Sequence, residues 1–500
     1  MNLSVSTESP AAVAADVLVL PLLEGPEAGP GIAEAGAALA TDLVALARAH
    51  GLTGKAGDAL LVPALGGLKS KAVLLVGMGP GGEAGPAQVR KTAQRVGGRL
   101  RRYATVATTL AQVGGDPEES ARALAEGLAA GTYTFRAYKV RPIDSASAEP
   151  VTLKRVVALS DAAGQKAAKA GLKAGQVTGD AVNWARDLVN TPSKDATPEY
   201  LAAEAKKMAA EAGLTCKVWT RAELERGGFG GVLGVGAGSR NEPRFVELTH
   251  KGAGQATPYA ITGKGVTFDS GGLSLKQPDW MTTMKDDMSG AAATFAVMRA
   301  IAQLKLKINV IAAVPLAENM PDGGAIRPGD VLRHRGGKTS EVLNTDAEGR
   351  LILADALAFL SEKKPRSILD SATLTGAAMV ALGTDLWAAM GNDRELLAEM
   401  LACGTEVGEP GWELPLWADY RKNIESTVAD VKNTGDRYGG AIIAGLFLKE
   451  FVGEGIPWVH MDVAGTAFRD TATDLWPRGA TGSPVRTILR YLERRAAAKA

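Results

Sequence analysis

The sequence predicts an α/β protein of two domains, each with a sheet covered by helices. Its 500 residues exceed the usual length of a single domain. Short apolar segments alternate with longer helical ones along most of the chain, which is the pattern of strands connected by helices. The alternation favours a mostly parallel central sheet in the second part. We therefore expect a smaller N-terminal α/β domain and a larger C-terminal α/β domain.

In the first part, short apolar runs that end at Pro or Gly predict buried strands, and segments that open with Pro predict helices. The strands are expected over residues 16–21, 71–76 and 151–159, and the helices over 86–100 and 117–128. A stretch of mostly small and polar residues at 144–150 precedes the last strand and has no strand or helix pattern. A long Ala- and Lys-rich helical segment follows, from about 162 to 189. We place the domain boundary in its first half, so that the predicted domains are 1–165 and 166–500.

The second part repeats the alternation with longer helices. Its strands are predicted over residues 259–263, 308–315, 367–369 and 457–463, and its helices over 289–304, 351–360, 394–403 and 440–451. Strands separated by helices of this length favour parallel pairing, because each crossover returns the chain to the same end of the sheet.

Composition excludes several classes of protein. With 56 basic and 55 acidic residues the net charge is +1, so no overall field attracts nucleic acid or an anionic membrane. The 2 cysteines, Cys216 and Cys403, cannot form a disulfide framework, which favours a reducing compartment. No secretory signal or membrane-spanning run is apparent, and a cytoplasmic protein is expected. The 4 histidines are scattered, so a metal site would be built mainly from oxygen ligands.

The first of three segments that carry chemistry runs from Gly263 to Lys276. A predicted strand leads into a glycine-rich turn at Asp269, which would expose the carboxylate at a strand end. Ligand sites of α/β sheets commonly lie there. Taken alone, the same residues also suit a plain turn, since Asp and Gly favour turn dihedrals.

The other two segments place acids beside predicted helices. Asp286 and Asp287 lie where a helix begins; stabilisation by the helix N-terminus accounts for Asp286 and leaves Asp287 as a candidate ligand. In the segment 344–351, Asp346 and Glu348 would aim at one point if the chain were extended. A solvated loop with a capping acid is the alternative, but the apolar flanks argue that these charges need partners.

Together the segments gather four acids with two lysines and an arginine. Carboxylates alone would repel one another, whereas divalent cations would hold them ionised and together. Oxygen-rich sites favour Mg²⁺ or Mn²⁺, and Zn²⁺ when a nitrogen ligand takes part. A lysine can be that ligand only as a neutral amine, which a nearby metal permits by lowering its pKa.

These residues resemble the leucyl aminopeptidase family of two-metal exopeptidases. The segment Asn-Thr-Asp-Ala-Glu-Gly-Arg-Leu at 344–351 matches the family signature in full, and the spacing of Lys264, Asp269, Lys276 and Asp287 agrees with it. The resemblance covers the second domain, with further matching stretches at 186–192, 318–321, 327–330, 372–377 and 460–465. The first domain carries no such motif.

The resemblance implies a division of roles within the site. Asp269 and Glu348 would bridge two divalent cations, Mn²⁺ or Zn²⁺ with Mg²⁺ as a further candidate. Asp346 would complete one metal site, and Lys264 with Asp287 the other. Lys276 would be a catalytic lysine that polarises the scissile carbonyl. Arg350 would hold a bicarbonate ion that carries protons in place of a side-chain base.

The resemblance also implies a substrate and an assembly. The pocket for the N-terminal side chain would accept leucine or methionine and would be lined by Met284, Asn344, Thr373, Leu374, Gly376 and Ala464. Substrates would be peptides with a free N-terminus, because one metal would bind the α-amine. The protein would be a homohexamer, with the N-terminal domain serving oligomerisation or access.

Three other functions compete with this one. Glycine-rich stretches at 77–82 and 234–238 resemble dinucleotide-binding loops, but neither has the GxGxxG spacing and a turn is favoured. Basic residues cluster on two predicted helices, as in nucleic-acid-binding modules, although such runs are usually solvated faces and no nucleic-acid partner is expected. These residues are Arg90, Lys91, Arg95, Arg99, Arg101 and Arg102 on one helix and Arg486, Arg490, Arg494 and Arg495 on the other. A two-metal phosphoesterase would use similar carboxylates, but a lysine ligand and an apolar pocket argue against it.

Overall fold

The computed structural model describes residues 1–139 and 153–498. The chain forms two compact units. The first unit comprises Met1–Asn183 and Ala472–Pro477, and the second comprises Trp184–Thr471 and Arg478–Ala500. The chain passes from one unit to the other inside the helix Gln165–Asn190, later than the boundary placed at residue 165.

The first unit is built on a seven-stranded sheet. Its strands are β1 (Asn2–Ser6), β2 (Val17–Leu23), β3 (Glu27–Ala28), β4 (Ala59–Pro63), β5 (Ala72–Gly79), β6 (Thr105–Thr108) and β7 (Arg155–Leu159). Its helices are α1 (Ile32–Ala38), α2 (Leu43–Ala49), α3 (Pro86–Leu100), α4 (Pro117–Thr132) and α5 (Gln165–Asn190), of which the last extends into the second unit. The strand order is β1-β7-β6-β2-β5-β4 with β3 beside β2. Pairing is parallel from β1 through to β5, and β3 and β4 are antiparallel to their neighbours.

Strand β2 shows why this sheet needs helices on both faces. Val17 and Val19 pack into one apolar cluster, and Leu18 and Leu20 pack into another. Because successive side chains of a strand point to opposite faces, both faces are buried and the strand is a continuous apolar run.

The predicted elements of the first unit are confirmed within a few residues. The predicted strands over 16–21 and 71–76 are β2 and β5, and the helix predicted over 86–100 is α3. Helix α4 continues past its predicted end at 128 to Thr132. Of the strand predicted over 151–159, residues 155–159 form β7, while 151 and 152 and the stretch 144–150 lie outside the described residues.

The second unit is built on a nine-stranded sheet with two small accessory sheets. Its strands are β8 (Thr215–Trp219), β9 (Arg244–Lys251), β10 (Tyr259–Gly263), β11 (Val266–Asp269), β12 (Asn309–Asn319), β13 (Val331–Arg333), β14 (Thr339–Glu341), β15 (Ile368–Ala372), β16 (Trp387–Gly391), β17 (Gly411–Glu413), β18 (Val431–Lys432), β19 (Trp458–Asp462), β20 (Phe468–Arg469) and β21 (Gly479–Ala480). Its helices are α6 (Pro198–Ala212), α7 (Arg221–Gly227), α8 (Gly230–Val235), α9 (Pro278–Met281), α10 (Ser289–Gln303), α11 (Gly349–Ser361), α12 (Gly376–Leu382), α13 (Arg394–Val407), α14 (Gly440–Lys449) and α15 (Val485–Ala497).

The large sheet is mostly parallel at its centre, as predicted. The order is β17-β16-β19-β15-β10-β12-β9-β8, with β11 beside β12. The four central strands β19, β15, β10 and β12 run parallel. Strand β16 on one side and β9 on the other are antiparallel to them. The carboxyl ends of the central strands therefore meet at one edge.

Two glycines bring helix α10 against that edge. A Cβ built on Gly263, the last residue of β10, would lie 2.0 Å from the carbonyl oxygen of Gly290 in α10. A Cβ on Gly290 would lie 2.1 Å from the carbonyl oxygen of Ser371 in β15. Only glycine permits such backbone contact, which sets the start of α10 beside the strand ends.

Several basic residues of the two helices form ion pairs. Arg90 is buried and pairs with Glu126, Arg486 pairs with Glu409, and Arg495 pairs with Glu399. These contacts favour a structural role for the basic residues of the two helices over a nucleic-acid-binding surface.

Among the described residues, no helix is both long and apolar enough to cross a membrane.

The two glycine-rich stretches differ from dinucleotide-binding loops. The first ends strand β5 and continues into a short 3-10 helix over Gly81–Glu83. The second is helical, since it closes α8 and forms a 3-10 helix over Gly236–Gly238, so the turn expected there is wrong.

Candidate metal centre

Polar side chains end or follow the strands at the carboxyl edge of the large sheet. Lys264 follows β10, Asp269 ends β11, and Asn319 ends β12. Thr373 follows β15, and Asp462 ends β19. Parallel pairing sets these positions beside one another, since Ala372 is paired with Asp462 and Asp269 with Asn319.

The turn after β11 presents the Asp269 carboxylate. The N–H of Gly271 donates to Asp269 Oδ1 at 2.9 Å, which closes the turn. Gly271 and Gly272 have φ of +86° and +64°, the left-handed region that favours glycine. A Cβ on Gly271 would also lie 2.9 Å from Asp346 Oδ1, so the glycine makes room for a second carboxylate.

Asp346 and Glu348 converge on Asp269, although neither lies in the extended chain that would have aimed both at one point. Asp346 lies in a turn held by its own N–H, which donates to Asn344 Oδ1 at 2.8 Å. Glu348 is the N-cap residue of α11 and has helical dihedrals, φ −82° and ψ −35°. The turn at Asp346 and the start of α11 at Glu348 bring the two carboxylates together without extended chain. One oxygen from each of Asp269, Asp346 and Glu348 lies within 4.8 Å of the others.

Asp287 precedes helix α10 and adjoins the cluster through Lys264, whose Nζ lies 2.7 Å from both Asp287 and Glu348. Its Oδ1 accepts a hydrogen bond from the Thr373 hydroxyl at 2.8 Å. Asp286 lies in the short 3-10 helix Met284–Asp286 that precedes α10, and the first turn of α10 itself contains no acidic residue. Burial and the nearby charge of Asp470 raise the pKa of Asp286 to about 7.

Two lysines lie among the four carboxylates. The Lys264 Nζ is 2.7 Å from both Asp287 Oδ1 and Glu348 Oε1, and it donates to the Thr373 carbonyl oxygen at 3.1 Å. The Lys276 Nζ is 2.8 Å from Asp269 Oδ2 and 2.6 Å from Asp346 Oδ1. These six side chains carry four negative and two positive charges, so their formal sum is −2.

The electrostatics of the cluster are those of crowded buried acids. Burial, together with repulsion by Glu348 and Asp269, raises the pKa of Asp287 well above its usual range even though Lys264 opposes the shift. Burial and the charge of Asp269 likewise raise the pKa of Asp346 and of Glu348. Burial lowers the pKa of both lysines, but the surrounding carboxylates outweigh it and leave each lysine pKa above its usual value.

Arg350 supplies a buried cation at the start of α11. Its Nη1 donates to the Asn433 carbonyl oxygen at 2.8 Å, while Nε finds no hydrogen-bond partner among the described residues. Burial lowers the pKa of Arg350 to about 10, which leaves the side chain protonated at neutral pH. A buried guanidinium with a free donor suits a small anion.

The predicted pocket residues adjoin this cluster to different degrees. Thr373 contacts Lys264 and Asp287, and Asn344 contacts Asp346, so both are fastened to candidate ligands. The remaining members lie at nearby segment ends. Met284 opens the short 3-10 helix before Asp287, Leu374 follows Thr373, Gly376 opens α12, and Ala464 follows β19.

Sequence reasoning missed three polar residues that support the site. Asn319 Nδ2 donates to Asp269 Oδ1 at 2.8 Å, and Asp462 accepts from the backbone N–H of Leu374 at 3.2 Å. Asn433 donates to the Asn344 carbonyl oxygen at 2.7 Å. For Asp462 a signal exists, because it lies near the end of the strand predicted over 457–463; Asn319 ends β12, but the strand predicted there stopped at residue 315. The loop that carries Asn433 offers no comparable pattern.

The donor set fits divalent cations. Among the described residues, no hydrogen-bond donor reaches Asp287 Oδ2 or Glu348 Oε2, although both atoms are buried. A buried carboxylate oxygen without a donor is costly unless a cation binds it. Carboxylate oxygens suit divalent cations, and paired divalent cations are used by metal-dependent hydrolases.

Comparison with known proteins identifies the family of metal-dependent hydrolases to which the chain is similar. A model of the catalytic domain of the cytosol aminopeptidase family matches residues 183–489, and a model of that family's N-terminal domain matches residues 19–142. A probable cytosol aminopeptidase of Streptomyces griseus is 44% identical over 513 residues, which cover 99% of each chain. One of Aquifex aeolicus is 43% identical over 451 residues, 89% of each chain.

Solved structures agree with these relatives. The bottromycin maturation enzyme BotP in complex with Mn has a TM-score of 0.85 and 37% identity, covering 97% of this chain and 100% of that one. A tomato leucine aminopeptidase mutant has a TM-score of 0.88 and 30% identity, covering 99% of this chain and 96% of that one. The chain belongs to the cytosol aminopeptidase family. It is a metal-dependent aminopeptidase of two domains, and its substrates are peptides.

Proposed function

We propose that this enzyme releases leucine- and methionine-like residues from the N-terminus of peptides and uses two divalent cations to do so. The observation that carries the proposal is the excess of buried carboxylates, with oxygens of Asp287 and Glu348 that face no donor in the described part of the chain. Two lysine ammonium groups do not balance the charge of four such acids. Divalent cations bound between the carboxylates would balance it.

Five side chains would hold the cations. Asp269 and Glu348 would bridge them, Asp346 would complete one site, and Lys264 with Asp287 would complete the other. Lys264 must give up its proton to act as a ligand, so metal binding competes with its ion pairs. Mn²⁺ and Zn²⁺ are the expected ions, with Mg²⁺ a further candidate. When bound, they would supply an activated hydroxide and stabilise negative charge on the substrate carbonyl.

Two cationic side chains complete the chemistry. The Lys276 ammonium lies between Asp269 and Asp346, from where it would stabilise the negative charge that develops on the scissile carbonyl oxygen. Arg350 would hold bicarbonate through its Nε, which has no acceptor in the part of the chain that the structure describes. Bicarbonate there would serve as the proton acceptor and donor in place of a side-chain base.

The pocket residues would set the side-chain preference. Met284, Leu374 and Ala464 are half-buried and apolar, which suits an aliphatic substrate side chain. A Cβ built on Gly376 meets no atom within 4 Å, so this position leaves space beside the loop. Thr373 and Asn344 would link the pocket wall to the metal ligands.

The assembly and location are part of the proposal. We expect a cytoplasmic homohexamer, with the first unit serving oligomerisation or access. Light scattering coupled to size-exclusion chromatography would give six times the 51.7 kDa chain mass. A monomer or dimer at micromolar concentration would refute the hexamer and would leave the proposed catalytic chemistry unaffected.

Cleavage of nitroanilide substrates tests the activity. With added Mn²⁺ or Zn²⁺, we expect release of nitroaniline from leucyl and methionyl substrates, loss of activity after chelation, and recovery with metal. N-acetyl-leucyl nitroanilide should be inert, because it has no free amine. Comparable hydrolysis of the blocked substrate would overturn the exopeptidase proposal, and activity on nitrophenyl phosphate alone would favour a phosphoesterase.

A further inference from the structure

One buried carboxylate ties together the segments that would form the pocket. Asp462 ends the central strand β19 and is 1% exposed. Its Oδ1 accepts from the N–H groups of Leu374 at 3.2 Å, Thr375 at 3.4 Å and Ala464 at 3.2 Å. Its Oδ2 accepts from the Thr375 hydroxyl at 2.7 Å. All four donors belong to the two loops that contain predicted pocket residues.

The same loop is fastened to the metal centre at its other end. The Thr373 hydroxyl donates to Asp287, and the Thr373 carbonyl accepts from Lys264. Three consecutive residues thus connect two candidate metal ligands on one side with Asp462 on the other. The loop has no regular secondary structure of its own between β15 and α12, so these side-chain contacts set its conformation.

A carboxylate suits this task because it is an acceptor at every lone pair. Four donors converge on Asp462, and an ionised carboxylate can satisfy all of them at once. An amide in its place would offer one oxygen and would turn an N–H₂ group toward donors. Asparagine at this position is therefore nearly the same size but has the wrong hydrogen-bonding character.

We infer that Asp462 is a positioning residue for substrate specificity, which fixes the pocket loop 373–375 and Ala464 relative to the metal centre. The inference rests on the proposed aminopeptidase function and assigns no chemical step to Asp462. Its carboxylate would touch neither substrate nor metal. Its effect would be on which N-terminal side chains fit.

Two variants test the inference at different cost to folding. Asp462→Asn removes the charge and replaces the oxygen that accepts from the Thr375 hydroxyl by an N–H₂ group, whereas Thr375→Val removes only that hydroxyl. We expect each to lower the ratio of kcat/KM for leucyl over alanyl nitroanilide, by about tenfold for Asp462→Asn, because a loosened apolar pocket loses discrimination. The loss should fall mainly on KM for the leucyl substrate. Mn²⁺ affinity measured by calorimetry should stay within about twofold, since the hydrogen bonds of Asp462 go to Leu374, Thr375 and Ala464 and to none of the proposed ligands.

Matched controls separate positioning from general destabilisation. Asp355 is also fully buried and also accepts two backbone N–H groups, from Val232 and Arg335, away from the pocket loops. Asp355→Asn should lower the melting temperature without changing the leucyl-to-alanyl ratio. Thr375→Ser keeps the hydroxyl and should restore the ratio lost in Thr375→Val.

The outcomes distinguish this inference from the function on which it rests. An active wild type with an unchanged ratio in both Asp462→Asn and Thr375→Val overturns the inference alone. Equal loss of leucyl and alanyl cleavage, with Asp355→Asn behaving the same way, also overturns it. A wild type inactive on every free-amine nitroanilide overturns the proposed function, and the inference with it.

Discussion

Each compact unit contains a buried cluster of charged side chains, and the two clusters are balanced differently. In the first unit, the two oxygens of Glu126 accept from Arg90 at 2.7 Å and from Arg122 at 2.9 Å. In the second unit, four carboxylates share the ammonium groups of Lys264 and Lys276. The Glu126 oxygens are both satisfied by protein donors, whereas Asp287 Oδ2 and Glu348 Oε2 meet no donor among the described residues.

The difference teaches how a structural ion cluster and a metal site can be told apart. Buried charges are costly, and a cluster that only holds the fold together pairs each acid with protein donors. A cluster with surplus acids and unpaired oxygens is stable only with further cations. The four predictions below test this contrast and are ordered by the size of the expected effect.

Removing one negative charge from the second cluster should abolish catalysis while sparing the fold. Glu348→Gln keeps the shape but loses a proposed bridging ligand. We expect kcat/KM for leucyl nitroanilide to fall by about a thousandfold, since a bound cation contributes several kcal/mol. Because four like charges become three, the melting temperature without metal should stay constant or rise. Wild-type activity in this variant would show that Glu348 holds no essential metal.

The first cluster should respond in the opposite way. Glu126→Gln removes the charge that two buried arginines share, and we expect the free energy of unfolding to fall by about 3 kcal/mol. Metal affinity should not change. The exposed pair Arg95–Asp474 in the same unit is the control, and Asp474→Asn should cost less than about 1 kcal/mol. Equal effects of the two substitutions in denaturant titrations would remove the distinction between buried and exposed pairs.

Strand ends were predictable from the sequence because burial and chemistry change there together. Asp269 follows an apolar run and precedes glycines, and the structure places it at the end of β11. The same rule would have selected Asp462, but the strand predicted over 308–315 ended four residues before Asn319. The rule failed for Glu348, since a local pattern does not reveal whether a helix begins one residue later. Contacts such as Thr373 with Asp287, 86 residues apart, depend on the assembled sheet and have no local signal.

A glycine in the second cluster allows the site to be disturbed without disturbing the fold. A Cβ on Gly349 would lie 2.4 Å from Lys264 Cε and 2.8 Å from Nζ. Since these atoms are the far end of a flexible side chain, Gly349→Ala should displace the lysine rather than unfold helix α11. We expect kcat/KM to fall by about a hundredfold, the effect of misplacing a reacting group by about 1 Å.

Gly323→Ala is the control for that substitution. A Cβ at Gly323 meets no atom within 4 Å, so activity and stability should both be retained. A Gly349→Ala protein that unfolds would show that Lys264 cannot move aside. One with full activity would show that the position of Lys264 is unimportant to catalysis. Either result would contradict the proposed role of this close approach.

The smallest expected effect comes from a residue that supports a ligand without being one. Asn319 Nδ2 donates to Asp269 Oδ1 at 2.8 Å and to the Thr345 carbonyl oxygen at 3.0 Å, so it joins the two segments that carry Asp269 and Asp346. Asn319→Ala should weaken Mn²⁺ binding by about tenfold, as loss of an outer hydrogen bond to a ligand commonly does.

Asn309, at the other end of β12, is the control, since it donates to two backbone carbonyls at 2.9 and 2.8 Å and accepts one N–H. Asn309→Ala should therefore cost stability but not affinity. Calorimetric titration of both variants with Mn²⁺ tests this role of Asn319. Equal affinities of the two variants would mean that Asp269 holds its position without Asn319 and that the cluster is organised by its charges alone.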